Sequence, residues 1–485
     1  MSAVADRIGA RRRGTSRAAW LREQGIAASV LVAAISSAFG VILLSATGYI
    51  EALLSSDPYI GQSGTLAVVL AIMSTLLIAV AVYVAAIVTA NTFATIIAGR
   101  TGRIALLRLI GSSARSQRTE VARQGLVVGA LGASIGLVVG VAVSASGIVV
   151  LGEVLGIDGV AYSVVRPVLL VPAVAVVLTT WAAAWAGSRR VLTVTPLQAI
   201  GGAVAPSHET LSGRRGRRAV AIGLSALGCG LLAAGIGLGL VSPLGVVVAF
   251  AGGILSFTGL VLAAPVVMPP LLRAVGRIFG SSATARLAAE NALRDPERSS
   301  RMAIGVVMGV ALVTMFAVAA ESVKAVLSAS WNGDAPAEML AVIDAFSGVM
   351  MALVAVSAVI AAVGLVNLLT IGIVQRRREL GLVRSLGMSS AQVRRMVLLE
   401  AVHVIATAVS TGLVLGAVYG WAGAQSLLGS VAVPPHFTSP TFVAPGMPWT
   451  ALAVIVVAAA GLTLVASVAP TRAATRVAPI EALAE

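Results

Sequence analysis

The side chains that could do chemistry in this chain are few and widely spaced. The three histidines, His208, His403 and His436, and the single cysteine, Cys229, do not cluster with the spacing of a metal site. The single lysine, Lys324, does not follow a glycine-rich turn, which excludes a nucleotide-binding P-loop. The GxSxG and HExxH motifs of hydrolases are also missing from the sequence. We therefore expect no enzyme activity, no cofactor and no metal in this chain itself.

Two pairs of ionisable residues lie inside apolar stretches. Glu400 and His403 stand near the start of one stretch, and Glu321 and Lys324, spaced i to i+3, stand near the end of another. An ion pair at a membrane interface explains the second pair. Neither pair forms the series of proton-binding side chains that a proton-driven transporter uses.

Asn91 and Asn367 are polar residues deep within two long apolar stretches. They could line a polar route, or they could form a hydrogen bond between helices, and the sequence leaves both open.

Composition decides what kind of protein must position these residues. Of 485 residues 58% are hydrophobic and only 11% are charged, and the mean hydropathy is +1.00. A water-soluble domain is about a quarter charged, so this chain has too little polar material to cover a surface in water. The sequence predicts an all-α polytopic membrane protein.

Ten apolar segments are long enough to cross a bilayer as helices, at roughly 20 residues for each crossing. They lie at 26–48, 65–99, 125–150, 165–187, 219–241, 244–270, 302–328, 341–375, 398–423 and 448–470. The segments 65–99 and 341–375 exceed the bilayer thickness and are predicted to project from it as stalks.

The net charge of +15 is distributed by position rather than spread evenly. With ten spans, 32 of the 34 basic residues fall on one side of the membrane, and only Arg166 and Lys324 fall on the other. The positive-inside rule then places both termini in the cytoplasm. We interpret the charge as a signal of topology and expect no nucleic-acid partner.

The sequence contains an internal repeat with an offset of 276 residues. Arg108, Gly111 and Asn91 align with Arg384, Gly387 and Asn367 at this offset. The last segments align through Pro196 and Pro479 at an offset of 283, as a longer outer loop in the second copy would produce. Each copy holds four spans, so both copies enter the membrane in the same orientation.

The predicted architecture is two parallel four-helix units joined by a two-helix hairpin, with minimal domains outside the membrane. We expect a basic N-terminal segment at 1–25, a first unit at 26–202, a linker and hairpin at 203–285, and a second unit at 286–485.

Small residues recur every four positions in the third span of each copy. Gly136 and Gly140 in the first copy align with Gly412 and Gly416 in the second. This spacing places a groove along one helix face, where a neighbouring helix can approach closely. We predict a role in helix packing for these glycines.

A basic segment with helical periodicity follows each stalk, at 100–123 and at 376–396. Apolar residues face one way and arginines such as Arg103, Arg108 and Arg384 face others, and Gly111 or Gly387 then breaks the helix. Such a segment is either an ordinary positive-inside loop or a docking helix for an acidic groove on a partner. Its repetition at the foot of both stalks favours docking.

The run GLVNLLTIGIVQRRRELGLVRSLGMSSAQVRRMVLLEA at 364–401 resembles the signature of FtsX-like permeases, the membrane subunits of the MacB and LolCDE class of ABC transporters. The closing PIEAL at 479–483 and the amphipathic segment LAAENALRDPERSSR before the seventh span are similar to the same family. The whole chain resembles the double-domain, ten-span members.

This resemblance implies a permease in the bacterial plasma membrane that binds two copies of a cytoplasmic ATPase. ATP and magnesium would belong to that partner, and the segments 100–123 and 376–396 would be coupling helices that pass force to the stalks. Asn367, and at the ATPase interface Glu379, Gly381, Arg384, Gly387 and Glu400, match the family pattern.

The first copy departs from this pattern. Arg103 stands where Glu379 is in the second copy, Ala105 where Gly381 is, and Gln124 where Glu400 is. The resemblance therefore implies that one of the two ATPase-facing sites is weaker or differently shaped.

The connections at 49–64 and 329–340 are too short to hold the large outer domains that some family members carry. We therefore expect a cargo that is already in the membrane, such as a lipid, a hydrophobic drug or an antimicrobial peptide. The proline-rich loop 430–448 is either a lid over such a cargo or a stiff connector.

Two other classes remain open from the sequence. One is a secondary transporter driven by an ion gradient, and the other is a membrane protein that transmits ATPase cycling without transport.

Overall fold

The computed structural model describes residues 26–56, 113–155, 162–188, 211–278, 282–294, 296–334, 387–433, 436–440 and 442–461, with single positions between 72 and 87 and between 336 and 385. Within this part of the chain the regular secondary structure is helical, apart from one antiparallel bridge between Val433 and Thr438. The all-α prediction is confirmed for these residues.

The helices are named here in chain order. They are α1 (Ile26–Ser56), α2 (Ala114–Leu155), α3 (Leu170–Gly187), α4 (Leu211–Gly239), α5 (Gly245–Gly276), α6 (Ala283–Arg294), α7 (Pro296–Ser330), α8 (Ser390–Leu428) and α9 (Trp449–Gly461). A 3-10 turn, Pro167–Leu169, leads into α3.

Seven of these helices, α1 to α5, α7 and α8, are long and apolar enough to cross a membrane. The helix α9 is apolar but shorter within the described residues. Most of the predicted stalk spans 65–99 and 341–375 lies outside the described residues, so the count of ten spans stays a prediction.

The spanning helices carry large apolar side chains on their outward faces. Val138 on α2, Ile222 on α4, Val414 on α8 and Val457 on α9 are all strongly exposed. A soluble protein does not present so many contiguous apolar side chains to water. These faces are suited to lipid, and the chain is a multi-pass membrane protein.

Turn chemistry explains where the helices end. Between α4 and α5 the residue Pro243 cannot donate a helical hydrogen bond, so the chain turns at 240–244. The Ser242 hydroxyl accepts from the Leu244 N–H at 3.3 Å, and the Ser242 N–H donates to the Leu238 carbonyl at 2.9 Å. The turn thus satisfies backbone groups that the helix ends leave open.

The chain forms two compact units. The first contains residues 1–52 and 80–204, and the second contains residues 53–79 and 205–485. The first unit holds most of α1 together with α2 and α3. Its core includes Ala33, Ala133 and Val176.

The second unit contains helices α4 to α9. The helices α4 and α5 pack along each other as a hairpin, and α7 packs along α8 in the same way. The helix α8 also contacts α4, α5 and α6, so it is the central element of this unit.

The central hairpin is fastened to α8 by a polar contact. The Ser256 hydroxyl on α5 and the Tyr419 hydroxyl on α8 lie 2.9 Å apart. By its contacts the hairpin belongs with the second unit. The separate linker domain expected at 203–285 stays a prediction.

Candidate functional site

The predicted site residues divide into those that the structure describes and those that it does not. Outside the described residues lie Asn91, Arg103, Arg108, Gly111, Asn367, Glu379 and Gly381. The described ones are Arg384, Gly387 and Glu400 around the start of α8, and the four packing glycines Gly136, Gly140, Gly412 and Gly416.

Within the basic segment 376–396, a sharply defined turn precedes α8. Gly387 has a φ of +104°, a conformation in which a side chain would be strained, and its N–H donates to the Arg384 carbonyl at 3.1 Å. Ser389 then caps α8. The positive φ requires glycine at position 387. The hydrogen bond to the Arg384 carbonyl fixes the path of the backbone from Arg384 into α8.

The N-terminus of α8 has a complete capping box. The Gln392 N–H donates to the Ser389 hydroxyl at 3.2 Å, and the Ser389 N–H donates to the Gln392 side-chain oxygen at 2.8 Å. Two backbone donors that the helix cannot pair are satisfied in this way. The foot of α8 therefore begins at one well-defined residue.

The short helix α6 is fastened to this foot. Ala288 on α6 packs against Val393, Met396 and Val397 on α8 in a buried cluster. Met388, one residue after the Gly387 turn, packs against the same cluster. The end of the coupling segment, the start of α8 and α6 are therefore one packed element.

The exposed side of this element is basic with apolar residues between the charges. Arg394 and Arg395 on α8 and Arg286 on α6 are exposed, and so are Leu382 and Leu287. Guanidinium groups bind carboxylates in a bidentate geometry, and exposed leucines add apolar contact area. The surface is chemically suited to an acidic groove with an apolar floor.

The equivalent end of the first unit is built differently. Ser113 caps α2 by accepting from the Ser116 N–H at 3.1 Å, but Ser116 stands where Gln392 stands in the second unit. The capping box is therefore incomplete. Arg118, the equivalent of Arg394, stacks on the Trp185 ring at 4.3 Å from its centroid.

Glu400 and His403 are buried inside the second unit, at 7% and 2% exposure. The His403 Nε2 donates to the Leu272 carbonyl of α5 at 2.8 Å. A Cβ built at Gly276 would lie 2.8 Å from the His403 Cε1, so glycine makes room for the ring.

This burial distinguishes Glu400 from its equivalent, Gln124 in the first unit. Gln124 is half-buried, and its amide nitrogen lies 3.4 Å from the Glu120 carboxylate oxygen. Little of the Glu400 surface is available for direct contact with another chain. Leu272 and Gly276 lie over a hundred positions from His403, and no sequence signal linked them to it.

The packing glycines allow the same kind of helix crossing in both units. A Cβ at Gly136 would collide with the Ala34 carbonyl oxygen of α1, and a Cβ at Gly412 would lie 2.9 Å from the Val307 carbonyl oxygen of α7. Gly140 and Gly416 lie in the same way against Ala38 and Ala311.

The residues of α1 and α7 that these glycines contact are related by a different sequence offset from the one that relates α2 to α8. Val307 follows Ala34 by 273 residues, whereas Gly412 follows Gly136 by 276. The second copy therefore has three extra residues between its first helix and its third. Sequence reasoning did not detect this shift, because α1 and α7 share little beyond apolar character.

The other predicted ion pair is part of a larger group. The Lys324 ammonium lies 2.8 Å from a Glu321 carboxylate oxygen and also contacts the Asp344 carboxylate. Asp344 comes from the start of the second stalk stretch, so Lys324 connects that stretch to α7. Only the pair within α7 was predicted, because no local spacing relates Asp344 to Lys324.

The chain is thus a multi-pass α-helical membrane protein with two units that share a glycine-mediated crossing and a capped, basic helix start. The family model for the C-terminal domain of FtsX-like permeases matches it twice, at residues 75–196 and 349–479. Together the two matches cover just over half of the chain. The chain belongs to the FtsX-like permease family.

Membership identifies this chain as a permease subunit of an ABC transporter, a membrane transporter component rather than an enzyme in itself. Such permeases typically partner with an ABC ATPase. No curated protein matches the chain.

Proposed function

We propose that this chain couples ATP hydrolysis by a separate cytoplasmic ATPase to the export or extraction of a hydrophobic or membrane-embedded substrate. Two copies of the ATPase bind the coupling segments 100–123 and 376–396, and ATP and magnesium are held by those partners. The stalk helices, with Asn91 and Asn367 in their apolar interiors, carry the movement across the membrane.

The observation that carries this proposal is the double family match, because each matched region contains one of the two coupling segments. A single chain with two such regions offers two sites to a pair of ATPases. Arg103, Arg108, Gly111, Glu379, Gly381, Arg384 and Gly387 form these sites in the proposal.

The packing at the foot of α8 supports transmission of force. The Gly387 turn, the Ser389 cap and the cluster around Ala288 join the described end of the chain before α8 to α6 and α8. His403, which is buried and donates to the Leu272 carbonyl, positions α8 against α5, and Glu400 is buried one turn earlier on the same helix.

The described outer connections support the proposed substrate class. The described residues on that side form short turns such as 331–334, together with the loop before α9, and these provide no separate soluble domain. The lipid-suited helix faces provide a route for a molecule already dissolved in the bilayer.

Charge reversal in the coupling segments tests the ATPase interface. Arg384→Glu should weaken binding of the co-purifying ATPase about tenfold, since one interfacial charge contact is worth on the order of 1.4 kcal/mol or more. Arg108→Glu should weaken it less, because the first copy departs from the family pattern. Affinity is measured with the permease in nanodiscs and the purified ATPase.

Arg218→Glu is the matched control, since Arg218 is exposed at the basic end of α4 but outside both coupling segments. Equal effects of Arg384→Glu and Arg108→Glu would refute the proposed asymmetry. Binding unaffected by either would refute the interface.

Reconstitution distinguishes the three classes of function. ATP-dependent removal of a fluorescent lipid or hydrophobic dye from proteoliposomes supports the proposal. Transport by ATPase-free vesicles under a proton gradient would identify a secondary transporter. ATPase binding and stimulation without any transport would identify a transmitter.

A further inference from the structure

The loop that joins α8 to α9, residues 429–448, is here called the far loop. It contains no Asp, Glu, Lys or Arg in its whole length, and His436 is its single titratable side chain. It contains five prolines and several apolar residues. A loop that is surrounded by water normally carries charge, so this composition requires an explanation.

The far loop is held on α8 by two hydrogen bonds at one residue. The Val443 N–H donates to the Gln425 side-chain oxygen at 2.7 Å, and the Trp421 indole N–H donates to the Val443 carbonyl at 2.9 Å. Val443 and Gln425 are both buried. Both backbone groups of Val443 are therefore satisfied by side chains of α8.

A second attachment joins the far loop to α7. The Gly446 N–H donates to the buried Ser322 hydroxyl at 3.1 Å. A Cβ at Gly446 would lie 2.6 Å from the Glu321 Cβ, so the loop backbone lies directly on α7. The loop is thus fixed to the ends of two spanning helices, which favours a stiff connector over a mobile lid.

Large apolar side chains nevertheless point away from this fixed backbone. Phe437 is 70% exposed, Phe442 is 65% exposed and Trp449, the first residue of α9, is 73% exposed. Met447 is exposed as well. Contact of this much apolar side-chain surface with water is unfavourable.

The place of the far loop between α8 and α9 indicates what surrounds these exposed side chains. The far loop starts where α8, a helix long and apolar enough to cross a membrane, ends, and it finishes where the apolar helix α9 begins, so it adjoins the bilayer boundary at which α8 ends. The exposed apolar face of α9, with Val454 and Val457, continues from Trp449. Aromatic rings are favoured at this boundary, and the absence of charge removes the cost of entering it.

We propose that the far loop is a membrane-inserted cap, in which Phe437, Phe442, Met447 and Trp449 lie in the interfacial layer of the bilayer on the side opposite the arginine-rich segments. The occupant of this surface is lipid. Because the loop is fixed to α7 and α8, it moves with them and carries their displacement into the adjacent lipid. This inference does not depend on the identity or the presence of an ATPase.

Site-directed spin labelling tests the depth of the cap. The single cysteine is removed by Cys229→Ser, and Phe437→Cys and Phe442→Cys are labelled singly in phosphatidylcholine–phosphatidylglycerol liposomes. Val457→Cys on α9 is the lipid-exposed control, and Asn332→Cys on the turn after α7 is the water-exposed control. Thermal unfolding of each labelled protein verifies that it is folded.

Labels at 437 and 442 should be more accessible to oxygen and less accessible to a water-soluble nickel chelate than the label at 332, with values between those at 332 and at 457. Accessibility to the chelate equal to that at 332 would overturn the proposal. Protection from both reagents would also overturn it, because the surface would then be covered by protein rather than lipid.

The rigid attachment has its own test. Gln425→Leu removes the acceptor for the Val443 N–H without changing the exposed aromatic residues, and it should increase the mobility of a label at 442. Ser439→Ala, in the exposed part of the same loop, is the control and should leave the mobility unchanged. Unchanged mobility in Gln425→Leu would contradict the attachment.

Discussion

Gly416 and Gly423 both lie on α8, but only Gly416 lies in close contact with a neighbouring helix. A Cβ at Gly416 would lie 2.5 Å from the Ala311 carbonyl oxygen and 2.5 Å from the Thr314 Cβ, whereas nothing lies within 4 Å of a Cβ at Gly423. The first glycine is required by the neighbouring helix, and the second is not. Close approach of this kind replaces the hydrophobic effect as the source of helix association in lipid.

Alanine substitution therefore separates the two positions. Gly416→Ala should lower the free energy of unfolding by about 1–3 kcal/mol, because α7 and α8 must move apart. Gly423→Ala should leave it unchanged or raise it by up to about 1 kcal/mol, since alanine favours a helix. Thermal unfolding in detergent measures both, and a larger loss at 423 would contradict the crossing.

Lys324 illustrates how a charge is tolerated near the end of a span. Its ammonium contacts both Glu321 and Asp344, which lie on separate stretches of the chain. The carboxylates are more exposed than the lysine, so water shares in their stabilisation. These three side chains hold Asp344, near the start of the stretch 341–375, to α7. Their contribution to the free energy of unfolding is small, because the carboxylates are exposed.

The N-termini of α2 and α8 differ in their capping hydrogen bonds. Both use a serine cap, at Ser113 and Ser389, but only α8 has the reciprocal bond from Gln392. Only α8 is also preceded by a glycine whose positive φ the structure describes. The second coupling segment therefore meets its helix at a more rigid joint than a serine cap alone provides.

Substitution of the capping residues should reveal this difference. Ser389→Ala should cost about 1 kcal/mol and increase amide hydrogen exchange in the first turn of α8 roughly fivefold. Ser113→Ala should have a similar effect at the start of α2, because each substitution removes one hydrogen bond to a serine hydroxyl. Gln392→Ala removes the acceptor for the Ser389 N–H and should raise exchange at the start of α8, whereas Ser116→Ala, at the equivalent position of α2, should change exchange less. Ser439→Ala serves as a control, and equal increases in Gln392→Ala and Ser116→Ala would contradict the interpretation.

At the scale of the whole molecule, the sequence predicts that the arginine-rich segments and the uncharged far loop lie on opposite sides of the membrane. Arg218 at the start of α4 and the arginines of α6 belong to segments that the positive-inside rule places in the cytoplasm, whereas the far loop has no charged residue. The two units each contain spanning helices with lipid-suited faces. The parallel arrangement of two repeats and the cytoplasmic termini are consistent with this separation and stay predictions.

Cysteine labelling in intact cells tests the orientation. In a Cys229→Ser background, Asn332→Cys should react with a membrane-impermeant maleimide from outside. Ser282→Cys, in the turn before α6, should react only after the membrane is permeabilised. Labelling of Ser282→Cys in intact cells would reverse the predicted topology.

The sequence by itself determined the class of the molecule. Apolar segments of sufficient length, arginines confined to alternate connections and the motif at 364–401 are local properties, and the bilayer acts on each segment independently. The helical character of the described residues, the positions of the described spans and the family are therefore readable from the chain. The predicted helix ends differ most from the observed ones, because α1 and α2 extend well past the predicted spans.

The tertiary structure alone decided which distant residues meet. The contact of His403 with Leu272, the addition of Asp344 to the Lys324 pair, the 273-residue offset of the helix crossing and the attachment of the far loop at Val443 each join positions far apart in sequence. Their partners are selected by packing and by the requirement that buried polar groups be paired. No periodicity or local motif encodes that selection.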